Sequence, residues 1–292
     1  MQNASELPRD TLALSPVTLI GSRGTMGSWL SAILRGYGLT VLEVERDTDM
    51  ALRTQAIRDA RVIIFAVPIS TTVAVIDDTL PLLAPQTLVV DITSLKVKPL
   101  TAMMKHRGEV LGLHPMCAPT PQGLAGQPVV ACRGRTGPAS ELFLQMLLDL
   151  GARVIEMEAE RHDRLMAVVQ GLNHFYSIVF AHALKSLGVS AEDTMTVASP
   201  VYELRMQLIG RILAQSPELY ADIERENPYV PEALNAYLSS LQQFKDAIEH
   251  GSRDDCVKFF TEAAHSFGPY RYEALERSNT ILALRQTMTT DR

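Results

Sequence analysis

The run VTLIGSRGTMG, Val17 to Gly27, decides how the first half of this chain is read. Val17 to Ile20 is an apolar, β-branched run of strand length, and the apolar spacing of Trp29 to Leu34 beyond the glycines is helical. A strand that turns on glycines straight into a helix uses each glycine differently. Gly21 makes the tight turn, Gly24 lets the backbone approach a diphosphate, and Gly27 lets helix and strand pack closely. N–H groups left open at the helix start complete an anion cradle lined by Arg23, Thr25 and Met26. Glu43, near the end of the next apolar run, Leu39 to Val44, is placed to accept the hydroxyls of an adenosine ribose and to repel a 2′-phosphate. NAD is therefore the expected cofactor, with the nearby Arg46 the one feature that would favour NADP.

Outward from this motif the alternation continues. Runs of the same kind recur at Arg61 to Pro68, Thr87 to Thr93, Val110 to Pro115, Pro128 to Arg133 and Ala152 to Met157, most of them separated by helix-length segments. Such spacing reads as βαβ units. Past Glu158 the strand signal stops. Leu165, Val168, Val169, Leu172 and Phe175, then Leu204, Leu208, Ile212 and Leu213, fall at helical spacing, with breaks at Gly188, Ser199-Pro200, Asn227-Pro228 and His250-Gly251. The expected architecture is an α/β Rossmann-type doubly wound parallel sheet over residues 1–158, followed by an all-helical substrate and dimerisation domain over 159–292. The helical half repeats apolar residues over more surface than a small domain buries against itself, so a homodimer is expected.

Composition narrows the function classes. The chain has 292 residues, 47% hydrophobic and 21% charged, with 27 Lys+Arg against 33 Asp+Glu for a net charge of −6. That is globular composition, long enough for two cores, without a basic run able to neutralise a string of phosphates, so no nucleic acid partner is expected. The longest apolar stretch, Val62 to Ile69, contains Pro68 and falls far short of the roughly 20 residues of a membrane span. MQNASELPRD, at the start, lacks the charged and apolar regions of a signal peptide and reads as a surface arm. Cys117, Cys132 and Cys256 fit neither a disulfide framework nor paired zinc ligands, which points to a reducing cytoplasm. His162 and His174 are too far apart for a helical i, i+4 metal pair, so no metal is expected.

His114 lies at the C-terminal end of an apolar strand, the edge where open α/β sheets bind ligands, and an imidazole there can take a proton from a reacting group. Asp91 to Lys96 ends the preceding strand in the same way, so Ser94 is expected beside His114, orienting it by a hydrogen bond. Gln170 and His174 follow in the first helical stretch of the second half.

The glycine motif, Asp91 to Lys96, the run LGLHPM (Leu111 to Met116), His162-Asp163 with Gln170 and His174, Ser199-Pro200-Val201-Tyr202 and His265-Ser266-Phe267-Gly268 occur in one order over nearly the whole chain. In this the chain resembles the prephenate dehydrogenase family, most of all the dehydrogenase half of its bifunctional chorismate mutase-prephenate dehydrogenases. The resemblance implies NAD-dependent oxidative decarboxylation of a cyclohexadiene bearing a ring carboxylate and a pyruvyl side chain. It also implies His114 as catalytic base, Ser94 as its hydrogen-bonding partner and His174 in the substrate pocket. Two departures stand out. Cys117-Ala118-Pro119 replaces the family's aromatic residue and glycine after HPM, and Glu203 follows the SPVY run where the family has an arginine for a substrate carboxylate. Arg205 cannot simply replace that arginine, because two residues along a helix turn a side chain by roughly 200°. A carboxylate at Glu203 removes a charge-assisted bond and adds a repulsion. The expected substrate is therefore 4-amino-4-deoxyprephenate, whose amine tolerates a nearby acid and which feeds antibiotic pathways; prephenate is the alternative. A β-hydroxyacid dehydrogenase would carry lysine four residues before Asn173, where this chain has Val169. A non-catalytic NAD-binding redox sensor would not need His114 and Ser94.

Overall fold

The computed structural model describes residues 13–289, so the expected N-terminal arm lies outside the described residues. The chain forms two compact units. One runs through Gln170 and also takes in Glu218–Tyr229; the other comprises Gly171–Pro217 and the residues from Val230 onward.

The first unit is built on β1 (Val17–Ile20), β2 (Val41–Val44), β3 (Val62–Phe65), β4 (Leu88–Asp91), β5 (Val110–Pro115), β6 (Pro128–Arg133) and β7 (Arg153–Glu156). These are the seven runs read from the sequence, in the order β2-β1-β3-β4-β5-β6-β7. Every neighbour pair is parallel except β5 with β6, which is antiparallel. The exception has a simple cause. No regular helix occupies residues 116–127, and without a crossover helix the chain reverses direction into the next strand.

Helices α1 (Thr25–Gly36), α2 (Met50–Asp59), α3 (Ile69–Thr79), α4 (Val97–Met103) and α5 (Pro138–Asp149) cover both faces of the sheet. Strand alternation sends Leu19, Val41, Ile64 and Val90 to the layer with Leu30 and Leu34 of α1 and Phe143 and Leu147 of α5. The neighbouring positions Ile20, Val44, Ile63 and Val89 go to the layer with Ile57 of α2, Ile76 of α3 and Met103 of α4. All residues of β1, β3 and β4 are buried, as strands covered on both faces must be.

α6 (Ala159–Met166) continues into a π-helical turn, Ala167–Leu172. A segment from much later in the chain, most of α10 (Pro217–Glu226) with Asn227 to Tyr229, also packs into this first unit. Asp222 accepts the Ser70 hydroxyl at 2.7 Å, Glu226 pairs with Lys98, and the Asn227 side-chain amide donates to the Asp163 carbonyl at 2.8 Å.

The second unit is helical: α7 (Asn173–Ser186), α8 (Ala191–Met195), α9 (Pro200–Leu213), α11 (Val230–Glu249), α12 (Arg253–Phe267) and α13 (Tyr270–Thr289). Its helix starts are written locally. Ser190 and Ser252 form capping boxes with Asp193 and Asp255, and Ser199 caps α9 ahead of Pro200. Many large apolar side chains of this unit remain exposed, among them Leu208, Leu241, Phe244, Val257 and Phe260, the last at 72%. No helix among the described residues is long and apolar enough to cross a membrane.

Candidate active site

Packing and backbone geometry account for two of the three motif glycines. Gly21 has φ +87°, and a Cβ there would lie 2.5 Å from the Ala66 carbonyl oxygen; a Cβ on Gly27 would lie 2.1 Å from the Gly21 oxygen. Gly24 is different. Its Cβ would meet the protein only at an ordinary 3.4 Å, so the chain itself does not demand glycine there. Among the described residues no side chain caps α1 and no acid sits in its first turn, which leaves the positive end of the helix open beside Gly24. This is the cradle a dinucleotide's diphosphate requires.

Strand register gives the two acids of this run different neighbours. Glu43 lies inside β2 on the face covered by α1, where its carboxylate accepts the Ser31 hydroxyl at 2.8 Å and pairs with Arg35 at 2.7 Å. The Ser31 bond, aided by Arg35, holds its pKa below the usual range. Glu45 is the carboxylate that overhangs the strand end. It accepts the Ser22 hydroxyl at 2.7 Å and the Arg23 N–H at 2.6 Å, both in the glycine loop. Arg23 itself pairs with Asp47.

His114 stands two residues beyond Gly112, the partner of Asp91 at the end of β4. Because β1, β3, β4 and β5 run parallel, the ring and the glycine loop share the C-terminal edge of the sheet. The imidazole is 4% exposed. Its Nδ1 lies 2.9 Å from His162 Nε2, and His162 Nδ1 lies 2.7 Å from Asp163 Oδ1. Asp163 also accepts the N–H groups of Lys96 at 2.8 Å and Val97 at 3.0 Å, at the start of α4. The Lys96 ammonium, fully buried, pairs with Asp91 and donates to the Leu113 carbonyl at 2.6 Å, one residue before His114. The Thr93 hydroxyl gives Asp91 a further bond at 2.6 Å. Burial first, and then His162 and Lys96, push the His114 pKa well below the imidazole range, so the ring is a neutral base at physiological pH.

Ser94 sits half-buried in the turn after β4 but makes no hydrogen bond to His114, whose Nδ1 is taken by His162. Gln170 ends the chain's first pass through this unit, in the π-helical turn, with its buried Oε1 lacking a hydrogen-bond partner. The second unit carries His174, Glu203 and Arg205. Burial pushes His174 down to about 4. Arg205 is exposed and lies over the Tyr176 ring at 5.9 Å, while Glu203 occupies the first turn of α9, where a carboxylate also suits the positive helix end. Sequence reading gave no role to Glu45 or Lys96 and did not place His162 against His114. The signals were present, in a second acid at the end of β2 and a His-Asp step on a helix.

Residues 41–156 match the family described as "Prephenate dehydrogenase, nucleotide-binding domain", and residues 158–262 match "Prephenate dehydrogenase, dimerization domain". A probable arogenate/prephenate dehydrogenase of Methanocaldococcus jannaschii is 33% identical over 271 residues, 86% of this chain and 61% of that relative. The T-protein of Enterobacter agglomerans is 33% identical over 92% of this chain and 72% of its own length. The 4-amino-4-deoxyprephenate dehydrogenase of Streptomyces pristinaespiralis is 30% identical over 76% and 75%. In fold, the chain is similar to the crystal structure of A. aeolicus prephenate dehydrogenase in complex with hydroxyphenyl propionate and NAD+, with TM-score 0.67, 19% identity, and coverage of 86% of this chain and 96% of that one.

Proposed function

Because this chain belongs to the prephenate dehydrogenase family, we propose that it catalyses NAD-dependent oxidative decarboxylation of a prephenate-type cyclohexadiene, with 4-amino-4-deoxyprephenate as the preferred substrate. The observation that carries the reaction class is a neutral, buried histidine, His114, on the same sheet edge as a diphosphate cradle. NAD accepts the hydride when bound. His114 takes the proton from the ring hydroxyl, or from the ammonium form of the amine, which raises electron density at the carbon that gives up hydride; CO2 leaves the opposite carbon, its bonding pair makes the ring aromatic, and the proton returns from His114 to the phenolate oxygen or, for the amine, passes to solvent. Ser94 is proposed to assist from the turn after β4, and His174 and Gln170 to contact substrate, on the strength of the family motif.

Glu45 is the acid proposed to accept the ribose hydroxyls. Glu45→Gln is expected to weaken NAD binding by about tenfold, the loss of one charge-assisted bond, and to narrow the preference over NADP; Glu43→Gln should change neither by more than about twofold. Titration calorimetry with both nucleotides reads the difference. Loop damage alone would weaken NAD and NADP equally, leaving the ratio where it was.

The amino substrate is favoured by Glu203 and by the 30% identity to the Streptomyces enzyme. Prephenate is the second reading, favoured by the 33% identity to the T-protein. Following NADH formation from prephenate, arogenate and 4-amino-4-deoxyprephenate tests both; no NADH from any of them would end the dehydrogenase reading. Glu203→Arg is expected to raise kcat/KM for prephenate roughly tenfold to a hundredfold. A gain with both substrates would place Glu203 at a shared carboxylate, and a gain confined to prephenate would place it beside the amine. Equal wild-type use of both substrates with no effect of the substitution would leave the prephenate reading standing.

We also propose that the helical unit forms a homodimer, which its exposed Phe244, Val257 and Phe260 and the name of the matched family domain support. Three free cysteines, one of them buried, accord with a cytoplasmic setting.

A further inference from the structure

Hydrogen-bond direction around His114 can be followed from its far end. Both oxygens of Asp163 face backbone N–H groups, those of Lys96 and Val97, which can only donate. The carboxylate therefore acts as an acceptor throughout, and its contact with His162 at 2.7 Å makes His162 Nδ1 the protonated nitrogen. With its hydrogen on Nδ1, the His162 imidazole offers a bare Nε2, and among the described residues the polar atom bonded to it is His114 Nδ1, at 2.9 Å. His162 and Asp163 are 0% and 1% exposed, so water does not compete for either contact. The acid is tied to the start of α4 by two bonds, and its own carbonyl is tied to Asn227 on the returning segment.

We infer that His162 and Asp163 are positioning residues that set the tautomer of His114: the chain Asp163···H–Nδ1 His162 Nε2···H–Nδ1 His114 leaves the His114 Nε2 lone pair free to take the substrate's proton. The opposite arrangement would put a hydrogen on Nε2 and remove the base while leaving every heavy atom in place. Neither residue touches the reacting atoms in this scheme. Its catalytic consequence rests on the proposed dehydrogenase reading; the tautomer itself does not.

The test uses the full chain labelled with 15N-histidine, observed by long-range 1H–15N correlation at about pH 8, above the ordinary imidazole pKa. The His114 signals are identified by their loss in His114→Asn. The expected wild-type result is a protonated Nδ1 and a bare Nε2 on His114. Asp163→Asn, whose amide can face His162 with a donor, should reverse or mix that pattern and lower kcat by on the order of 100-fold with KM little changed. His162→Gln, which can donate to Asp163 and accept from His114, should retain activity within about tenfold of wild type, whereas His162→Leu should fall as far as Asp163→Asn. A bare Nδ1 on wild-type His114 overturns the inference whether or not any variant folds. So does an Asp163→Asn protein with the wild-type tautomer. If no cyclohexadiene yields NADH, the dehydrogenase reading fails and the spectrum still decides the tautomer.

Discussion

Replacing His114 by asparagine is expected to lower kcat for NADH formation by roughly 10²- to 10⁴-fold, the range general-base catalysis supplies. The asparagine amide can still donate to His162 Nε2, so the neighbouring network keeps its partner while the base is gone. NAD affinity should stay within about twofold, because the glycine cradle belongs to a different part of the sheet edge. A wild-type rate in the variant would remove His114 from the mechanism. The same residue makes a signed prediction about pH. Burial and the neighbouring His162 and Lys96 depress its pKa in the folded state. The unfolded chain, with an ordinary imidazole pKa near 6.5, therefore binds more protons between the two values. Stability from this group is present above the unfolded pKa and is lost as pH falls from about 6.5 towards the folded value. The acid limb of kcat/KM should correspondingly lie below the ordinary histidine range. Melting temperatures across that window should fall less steeply in His114→Asn than in wild type.

Lys96→Met is expected to cost stability rather than chemistry first. Lys96 and Asp91 are both fully buried, and removing the cation leaves a carboxylate without a counter-charge in the core; breaking such a pair costs about 3–5 kcal/mol. For a unit of this size that corresponds to a fall in Tm of about 10 °C. The ammonium also holds the Leu113 carbonyl at 2.6 Å, so the strand end that carries His114 should loosen, and kcat should drop in whatever fraction still folds. Replacing both members, as Asp91→Asn with Lys96→Met, should recover part of the lost Tm because no unpaired charge remains. A Tm within about 2 °C of wild type for the single substitution would show that water or another group already serves Asp91.

Much of this molecule was legible in one dimension, for reasons of periodicity. The strands announce themselves as short runs rich in apolar residues, most plainly β1, β3 and β4, which are buried at every position. The breaks at Gly188, Ser199-Pro200, Asn227-Pro228 and His250-Gly251 all fall at helix boundaries. Gly21 and Gly27 read as a tight turn and a close packing point, and a Cβ at either would lie 2.5 Å or less from a backbone oxygen. His114 stands out in the sequence because it lies at the end of a strand, the edge where such sheets bind ligands.

Tertiary structure decided which side chains meet. Glu43 and Glu45 stand two residues apart in the sequence; only the register of β2 against β1 shows that one meets Ser31 and Arg35 of α1 and the other overhangs the glycine loop. His162 lies 48 residues from His114, and Asp163 lies 67 from Lys96, so no local pattern could pair them. The return of Glu218–Tyr229 to the first unit was equally hidden, because a helix reads the same whichever body it packs against. Local sequence encodes which residues must be buried and with what period; the partner of a buried polar group depends on how distant segments converge, and that is settled only when the chain has closed on itself.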